Sequence, residues 1–142
     1  MIVPDVNLLL YATVTAFPQH GRAHEWWTQA MATATPIGLA TPTVFGFLRI
    51  VTNPRVLTPP MGFDMAAGHV REWLARPHVE LIAPRSEHVE IALTLLRDVG
   101  TAGNLTTDAQ LAAIAIEQGA EIRSHDADFG RFTGVSWSDP LA

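Results

Sequence analysis

Five short apolar runs interleaved with segments of helical periodicity set the strongest limit on what this chain can fold into. Short apolar runs bounded by turn residues read as buried strands, and apolar residues at 3–4 spacing read as amphipathic helices. The strand candidates are Met1–Pro4, Ile37–Ala40, Val79–Ala83, Glu121–Ser124 and Val135–Trp137. Proline lacks the N–H of a sheet ladder, so the first strand is expected to be short, or unpaired at Pro4. The helix candidates are Asn7–Ala12, His20–Met31, Thr43–Val51, Asp64–Ala75, Glu87–Val99 and Asp108–Gln118. Their stops are legible: Asn53-Pro54 after the third, Gly100 and Gly103 after the fifth, Gly119 after the last. Thr107 with Gln110 has the form of a capping box opening the sixth helix. Strands that alternate with helices imply an α/β sandwich around a mostly parallel sheet.

No repeat, low-complexity tract or linker divides the 142 residues, so a single domain over 1–142 is expected. A chain of that length buries roughly 68–70% of its unfolded surface, enough for a core without covalent staples. There is no cysteine, which excludes disulfides, thiolate zinc sites and cysteine nucleophiles. All nine basic residues are arginine. The absence of lysine excludes a P-loop lysine, Schiff-base chemistry and the lysine of a receiver domain. A formal net charge of −5 argues against a broad basic face that coats nucleic acid. No apolar run approaches the ~20 residues of a bilayer span, and no basic region precedes the first apolar stretch. A cytoplasmic protein that does not enter the membrane is the expectation.

In open α/β sheets, ligands bind outside the carboxyl ends of the strands, near a topological switch. Asp5 follows the first strand candidate, and Asp126 and Asp128 follow the fourth; Asp108 falls in the first turn of the preceding helix. Each aspartate has a plain structural reading. Helix amides favour a carboxylate at Asp108, and aspartate closes turns of the kind expected at 126–128. As a set they repel one another unless a cation neutralises them. Oxygen donors without thiolates suit Mg²⁺ or Mn²⁺ rather than structural zinc. Such a site activates water for in-line attack on a phosphodiester without any nucleophilic side chain.

The stretch Val3-Pro4-Asp5-Val6-Asn7-Leu8-Leu9-Leu10-Tyr11-Ala12 resembles the opening of PIN-domain proteins of the VapC toxin type. Phe47-Leu48-Arg49-Ile50-Val51-Thr52-Asn53-Pro54-Arg55 is similar to a segment of many bacterial members. Gly103-Asn104-Leu105, Asp108-Ala109, Leu111-Ala112-Ala113 and Ser124-His125-Asp126-Ala127-Asp128-Phe129 resemble the family's acidic C-terminal half. Phe132, Trp137 and Pro140-Leu141 resemble its ending, so the likeness covers essentially the whole chain. It implies a PIN-like three-layer α/β/α sandwich whose five strands lie in the order 3-2-1-4-5. It implies a divalent-metal-dependent endoribonuclease, a growth-inhibiting toxin that cuts transfer or ribosomal RNA, held in check by a cognate antitoxin and assembled as a homodimer. Carried over by position, Asp5, Asp108, Asp126 and Asp128 match the family's metal-binding and catalytic acids. Asn7 and Ser124 match polar positions that support them. Many members carry a glutamate on the second core helix, where this chain has Gly46. A one-metal site, or a second ion held mainly by substrate phosphate, is the corresponding expectation.

Arg49 and Arg55 are candidates for RNA-phosphate contacts through their forked donors; the alternatives are salt bridges or a solvated helix end. His125 adjoins the acids and is expected to be an exposed turn residue. His20, His24, His69, His78 and His88 are scattered, with no evident metal motif among them. Trp26, Trp27 and Trp73 at helical spacing are expected in the core or an interface. The apolar segment Thr43–Leu48 suits core, dimer contact or antitoxin groove equally. Two other functions compete. A haloacid-dehalogenase-type phosphatase wants a DxD after the first strand and a downstream lysine, whereas the chain has Asp5-Val6-Asn7 and no lysine. A non-catalytic PIN-fold module binding RNA or protein is motivated by Gly46.

Overall fold

A computed structural model describes residues 1–142. Five parallel strands, β1 (Ile2–Pro4), β2 (Ile37–Ala40), β3 (Val79–Ile82), β4 (Glu121–Arg123) and β5 (Trp137–Ser138), form one sheet in the order β3-β2-β1-β4-β5. Helices α1 (Val6–Thr13) and α2 (His20–Ala32) link β1 to β2, and α3 (Thr41–Val51) and α4 (Phe63–Leu74) link β2 to β3. Helices α5 (His88–Val99) and α6 (Thr106–Glu117) then return the chain to β4, on the other side of β1. The connection order therefore reverses between β1 and β4, which opens a crevice at their carboxyl ends.

Successive strand side chains point to opposite faces, and both faces are buried here. On one side Ile37, Leu39 and Val79 pack with Leu8, Leu9, Trp27, Val44, Phe47, Val70 and Trp73 of α1 to α4. On the other, Val3, Ala40, Ile82 and Ile122 pack with Leu95 of α5, Leu111 and Ile114 of α6, and Phe129 and Phe132. This is the three-layer sandwich the alternation implies. The outer helices differ accordingly: α5 buries only Ala92 and Leu95, while α6 buries six residues, from Ala109 to Ala115.

Pro4 ends β1 without breaking the sheet. The Ile2 amide donates to Pro36 on the β2 side, and Asp5 donates to Arg123 on the β4 side. By the two-residue period, the N–H that Pro4 lacks would face β2, where the pairing stops after Ile2. The sequence reading needs adjusting by one or two residues at several boundaries, α3 for instance starting at Thr41 rather than Thr43, and three of the adjustments have a clear local cause. The last strand begins at Trp137 rather than Val135, because Trp137 and Ser138 are the residues in register with Ile122 and Arg123. Helix α1 starts at Val6, capped by the Asp5 side chain. The Thr107–Gln110 capping box does not form: a 3-10 turn, Gly103–Leu105, leads directly into α6 at Thr106, whose hydroxyl donates to the Gly103 carbonyl. Gly100 does end α5, at φ 87°, where a side chain would be strained.

Candidate metal centre

The crevice at the switch point collects the acids. Asp5 stands at the junction of β1 and α1, and both its oxygens are engaged. Oδ1 accepts from the Val6 amide at 2.7 Å, and Oδ2 accepts from the Ser124 hydroxyl at 2.7 Å. Ser124, immediately after β4, is fully buried, and its oxygen accepts from the Asp126 amide (3.0 Å) and the Asn7 side-chain amide (3.2 Å). One hydroxyl thus uses its donor and both lone pairs, and it ties the end of β1 to the end of β4. Asn7 lies within 3.5 Å of the His125 amide through its own carbonyl oxygen. Asp126 caps the 3-10 turn Ala127–Arg131 by accepting from the Asp128 amide at 2.9 Å. The third residue of α6 supplies Asp108 from the opposite wall.

Carboxylate oxygens of Asp108, Asp126 and Asp128 all lie within 4.8 Å of one another. Asp5 stands just outside that triad but is coupled electrostatically to Asp108 and Asp126. Burial raises the Asp5 pKa above the ordinary carboxylate value, and the charge on Asp126 adds to this, while the Ser124 and Val6 hydrogen bonds oppose it. Asp108 accepts no hydrogen bond. Its pKa is pushed up to about 7, first by desolvation and then by the charges of Asp5, Asp126 and Asp128. The nearest counter-charge is Arg131, 3.8 Å from Asp128 and half exposed. Repulsion of this kind is what a divalent cation relieves. Oxygens on opposite sides of an octahedral Mg²⁺ stand about 4.2 Å apart, so small side-chain movements would close the triad on an ion. The set fits Mg²⁺ or Mn²⁺: hard oxygen donors, no thiolate, and held acceptors that leave lone pairs free.

All four aspartates, Asn7 and Ser124 therefore meet at one place. Arg49 and Arg55 do not join them. Arg49 is exposed in the last turn of α3, and Arg55 is exposed in the following turn, where its amide is held by Asn53. Neither guanidinium forms an ion pair, which removes the salt-bridge alternative for both. His125 departs from expectation. It is half-buried, its Nδ1 lies 2.7 Å from Asp139, and its ring packs edge-on against Tyr11. Sequence reasoning missed Asp139, which lies fourteen residues from His125 and follows β5, so only the register of β4 with β5 brings them together. It also missed the Trp137 indole, which donates to the Ser124 carbonyl and pins the loop from outside. Gly46 faces Val6, the residue after Asp5: a Cβ there would meet Val6 Cγ2 at 3.7 Å, an ordinary contact. Trp27 and Trp73 are core residues and Trp26 packs against them, as expected.

The comparisons agree with this architecture. "Ribonuclease VapC33" of Mycobacterium tuberculosis (strain ATCC 25618 / H37Rv) is 55% identical over 141 residues, covering 99% of each chain. "Ribonuclease VapC37" of the same strain is 39% identical over 142 residues, covering 100% of this chain and 99% of that protein. Among solved structures, M. tuberculosis VapC20, described as a sarcin-ricin loop cleaving toxin, superposes with a TM-score of 0.70 at 16% identity. That match covers 95% of this chain and 98% of VapC20. The VapBC2 complex of Rickettsia felis, bound to a promoter DNA fragment, gives 0.71 at 15% identity, with 98% of each chain covered. At those identities the structures attest the fold alone, and it is the same fold. The family model described as "PIN domain" matches residues 2–135. The chain belongs to the PIN-domain family.

Proposed function

We propose that this protein is a divalent-metal-dependent endoribonuclease toxin of the VapC type, with Asp5, Asp108, Asp126 and Asp128 as its metal-binding acids. The observation that carries the reading is the convergence of four carboxylates, with almost no counter-charge, at the strand-order switch. Names of the full-length relatives point to the same activity: ribonucleases at 55% and 39% identity. Mg²⁺ or Mn²⁺ held by these acids supplies a water of lowered pKa and charge stabilisation for the leaving oxygen of a phosphodiester.

The protein's own residues set up the rest. Ser124 holds the Asp5 carboxylate through Oδ2 and accepts from the Asp126 backbone amide, so one hydroxyl ties two of the acids together. Asn7 ties α1 to the same loop. Asp108, whose proton is held by burial and by the charges of Asp5, Asp126 and Asp128, would give up that proton to serve as a cation ligand. Arg49 and Arg55, exposed and without ionic partners, are available to backbone phosphates.

The substrate is structured cellular RNA, transfer or ribosomal, and a cognate antitoxin restrains the activity in the cytoplasm, where the protein acts as a homodimer. Solved relatives with antitoxin, such as the R. felis VapBC2 complex, support the partner. No helix is long and apolar enough to cross a membrane. The test is incubation of total cellular RNA with antitoxin-free protein and Mg²⁺ or Mn²⁺, alongside Asp5→Ala and an EDTA control. Discrete fragments that vanish in both controls establish the nuclease. No cleavage by folded protein with either metal would shift the assignment to a non-catalytic binding module.

A further inference from the structure

Away from the acids, a cleft of about 550 Å³ lies between the end of α1, α2 and α4, with Thr13, His20, His24, His69, Glu72 and Arg76 among its lining residues. His20 and His24 are one helical turn apart on α2, so they share a face, although nothing in their surroundings in the sequence marks them as a pair. Their Nδ1 atoms lie 2.8 Å and 3.3 Å from the carbonyl oxygens of Tyr11 and Ala12. These carbonyls belong to the last turn of α1, where the helix has no amides left to offer. A carbonyl only accepts, so each histidine must carry its proton on Nδ1. In the neutral ring, that leaves Nε2 as the free lone pair. A backbone carbonyl that fixes the tautomer through one ring nitrogen, with the other free, is how proteins orient metal-binding imidazoles.

We propose that His20 and His24 form a second cation site, binding a nitrogen-preferring divalent transition ion of the Zn²⁺ class through their two Nε2 atoms. Two imidazoles sharing such an ion at a metal–nitrogen distance of about 2.0 Å, with a tetrahedral angle, have ring centres about 5 Å apart. The centres of His20 and His24 are 5.3 Å apart, the ordinary spacing of side chains one helical turn apart, and this separation lets the two rings reach one ion. No third histidine or acid completes a preformed triad with them; His69 and Glu72 line the same cleft, and the remaining positions of a bound ion would be left to water. The negative end of the α1 dipole adds to the attraction, and Arg76 opposes it. Imidazole favours Zn²⁺, Ni²⁺ and Cu²⁺, whereas the aspartate cluster favours Mg²⁺ and Mn²⁺, so the two sites select different ions. The assignment stands independently of the nuclease reading.

Titration calorimetry with Zn²⁺ on the full chain tests it, using the parent, Asp126→Asn, His20→Asn and His24→Asn. Asparagine keeps an N–H donor close to the position of Nδ1 and so preserves the bond to α1, but it has no nitrogen at Nε2. The expected result is a Zn²⁺ event that survives in Asp126→Asn and weakens at least tenfold in each histidine variant, whose far-ultraviolet dichroism matches the parent. Electron paramagnetic resonance of bound Cu²⁺ should show two imidazole nitrogens in Asp126→Asn and fewer in His24→Asn. Zn²⁺ binding that persists unchanged in both histidine variants, or that disappears in Asp126→Asn alone, would overturn the assignment.

Discussion

Replacing Asp108 by asparagine should stabilise the metal-free protein at alkaline pH, although it removes one of the proposed metal-binding acids. The folded-state pKa of Asp108 is pushed from 3.8 up to about 7 by burial and by the charges of Asp5, Asp126 and Asp128. An acid whose pKa is raised on folding binds its proton more tightly in the native state, so stability falls as pH rises from about 4 to about 7. The cost is fully present above neutrality and absent below about pH 4. Three pKa units correspond to a ceiling of about 4 kcal/mol. Asp108 is partly exposed, so solvent screening reduces this to about 1–2 kcal/mol. For a domain of this size that is a rise in Tm of about 3–7 °C for Asp108→Asn at about pH 8 in EDTA, with little change near pH 4. The assay is thermal or urea unfolding of both proteins across that range. Adding Mn²⁺ should reverse the order, because the parent gains more from the ion than the variant does. If Asp108→Asn is less stable than the parent in EDTA at pH 8, Asp108 is not held against its neighbours' charges, and the electrostatic argument for a cation fails.

Other substitutions probe the rest of the site. Asp126→Asn should abolish most RNA cleavage with unchanged far-ultraviolet dichroism, since it cancels a charge while keeping shape; cleavage at the parent's rate would show the site is misplaced. Ser124→Ala removes the donor to Asp5 and the acceptor for the Asp126 amide, which should cost about 1–3 kcal/mol in urea unfolding. The same variant should weaken Mn²⁺ binding by about 10–100-fold, and unchanged affinity would deny Ser124 its positioning role. Cation binding at about pH 6.5 should release about three-quarters of a proton from Asp108, seen in calorimetry as a heat that varies with buffer ionisation enthalpy; no variation would contradict its raised pKa. Gly46→Glu should be tolerated, given the ordinary contact its Cβ would make, and should raise Mn²⁺ stoichiometry from one to two. An unchanged stoichiometry would show that this position cannot furnish a second site.

Most of the layer order was legible in the sequence because periodicity is a local signal. A run such as Ile37–Ala40, with all four residues buried, admits no strand exposed on one face. The four aspartates were legible as a group because three of them follow strands, and parallel strands deliver their carboxyl ends to one edge. The strand order was another matter. Periodicity does not say which strands are neighbours, and the 3-2-1-4-5 order came from the family resemblance. Local chemistry also misled. Thr107 and Gln110 have the spacing of a capping box, but the 3-10 turn ahead of them already carries the chain into α6 and leaves Thr106 as the residue that bonds back. His125 looked like a turn residue because its partner, Asp139, is recruited by the pairing of β4 and β5. The His20–His24 pair escaped notice because the feature that sets it apart is the end of α1, nine to twelve residues earlier in the chain.

The most direct test of the whole account couples ion binding to chemistry on the same samples. Mn²⁺ binding, followed by the paramagnetic signal of the free ion, is measured beside RNA fragment formation for the parent, Asp126→Asn and Asp108→Asn. The four-aspartate centre predicts that cleavage by the parent rises in step with Mn²⁺ occupancy, and that each variant loses binding and cleavage together. Cleavage that persists without Mn²⁺ bound at this site, or that survives in variants unable to bind it, would contradict it.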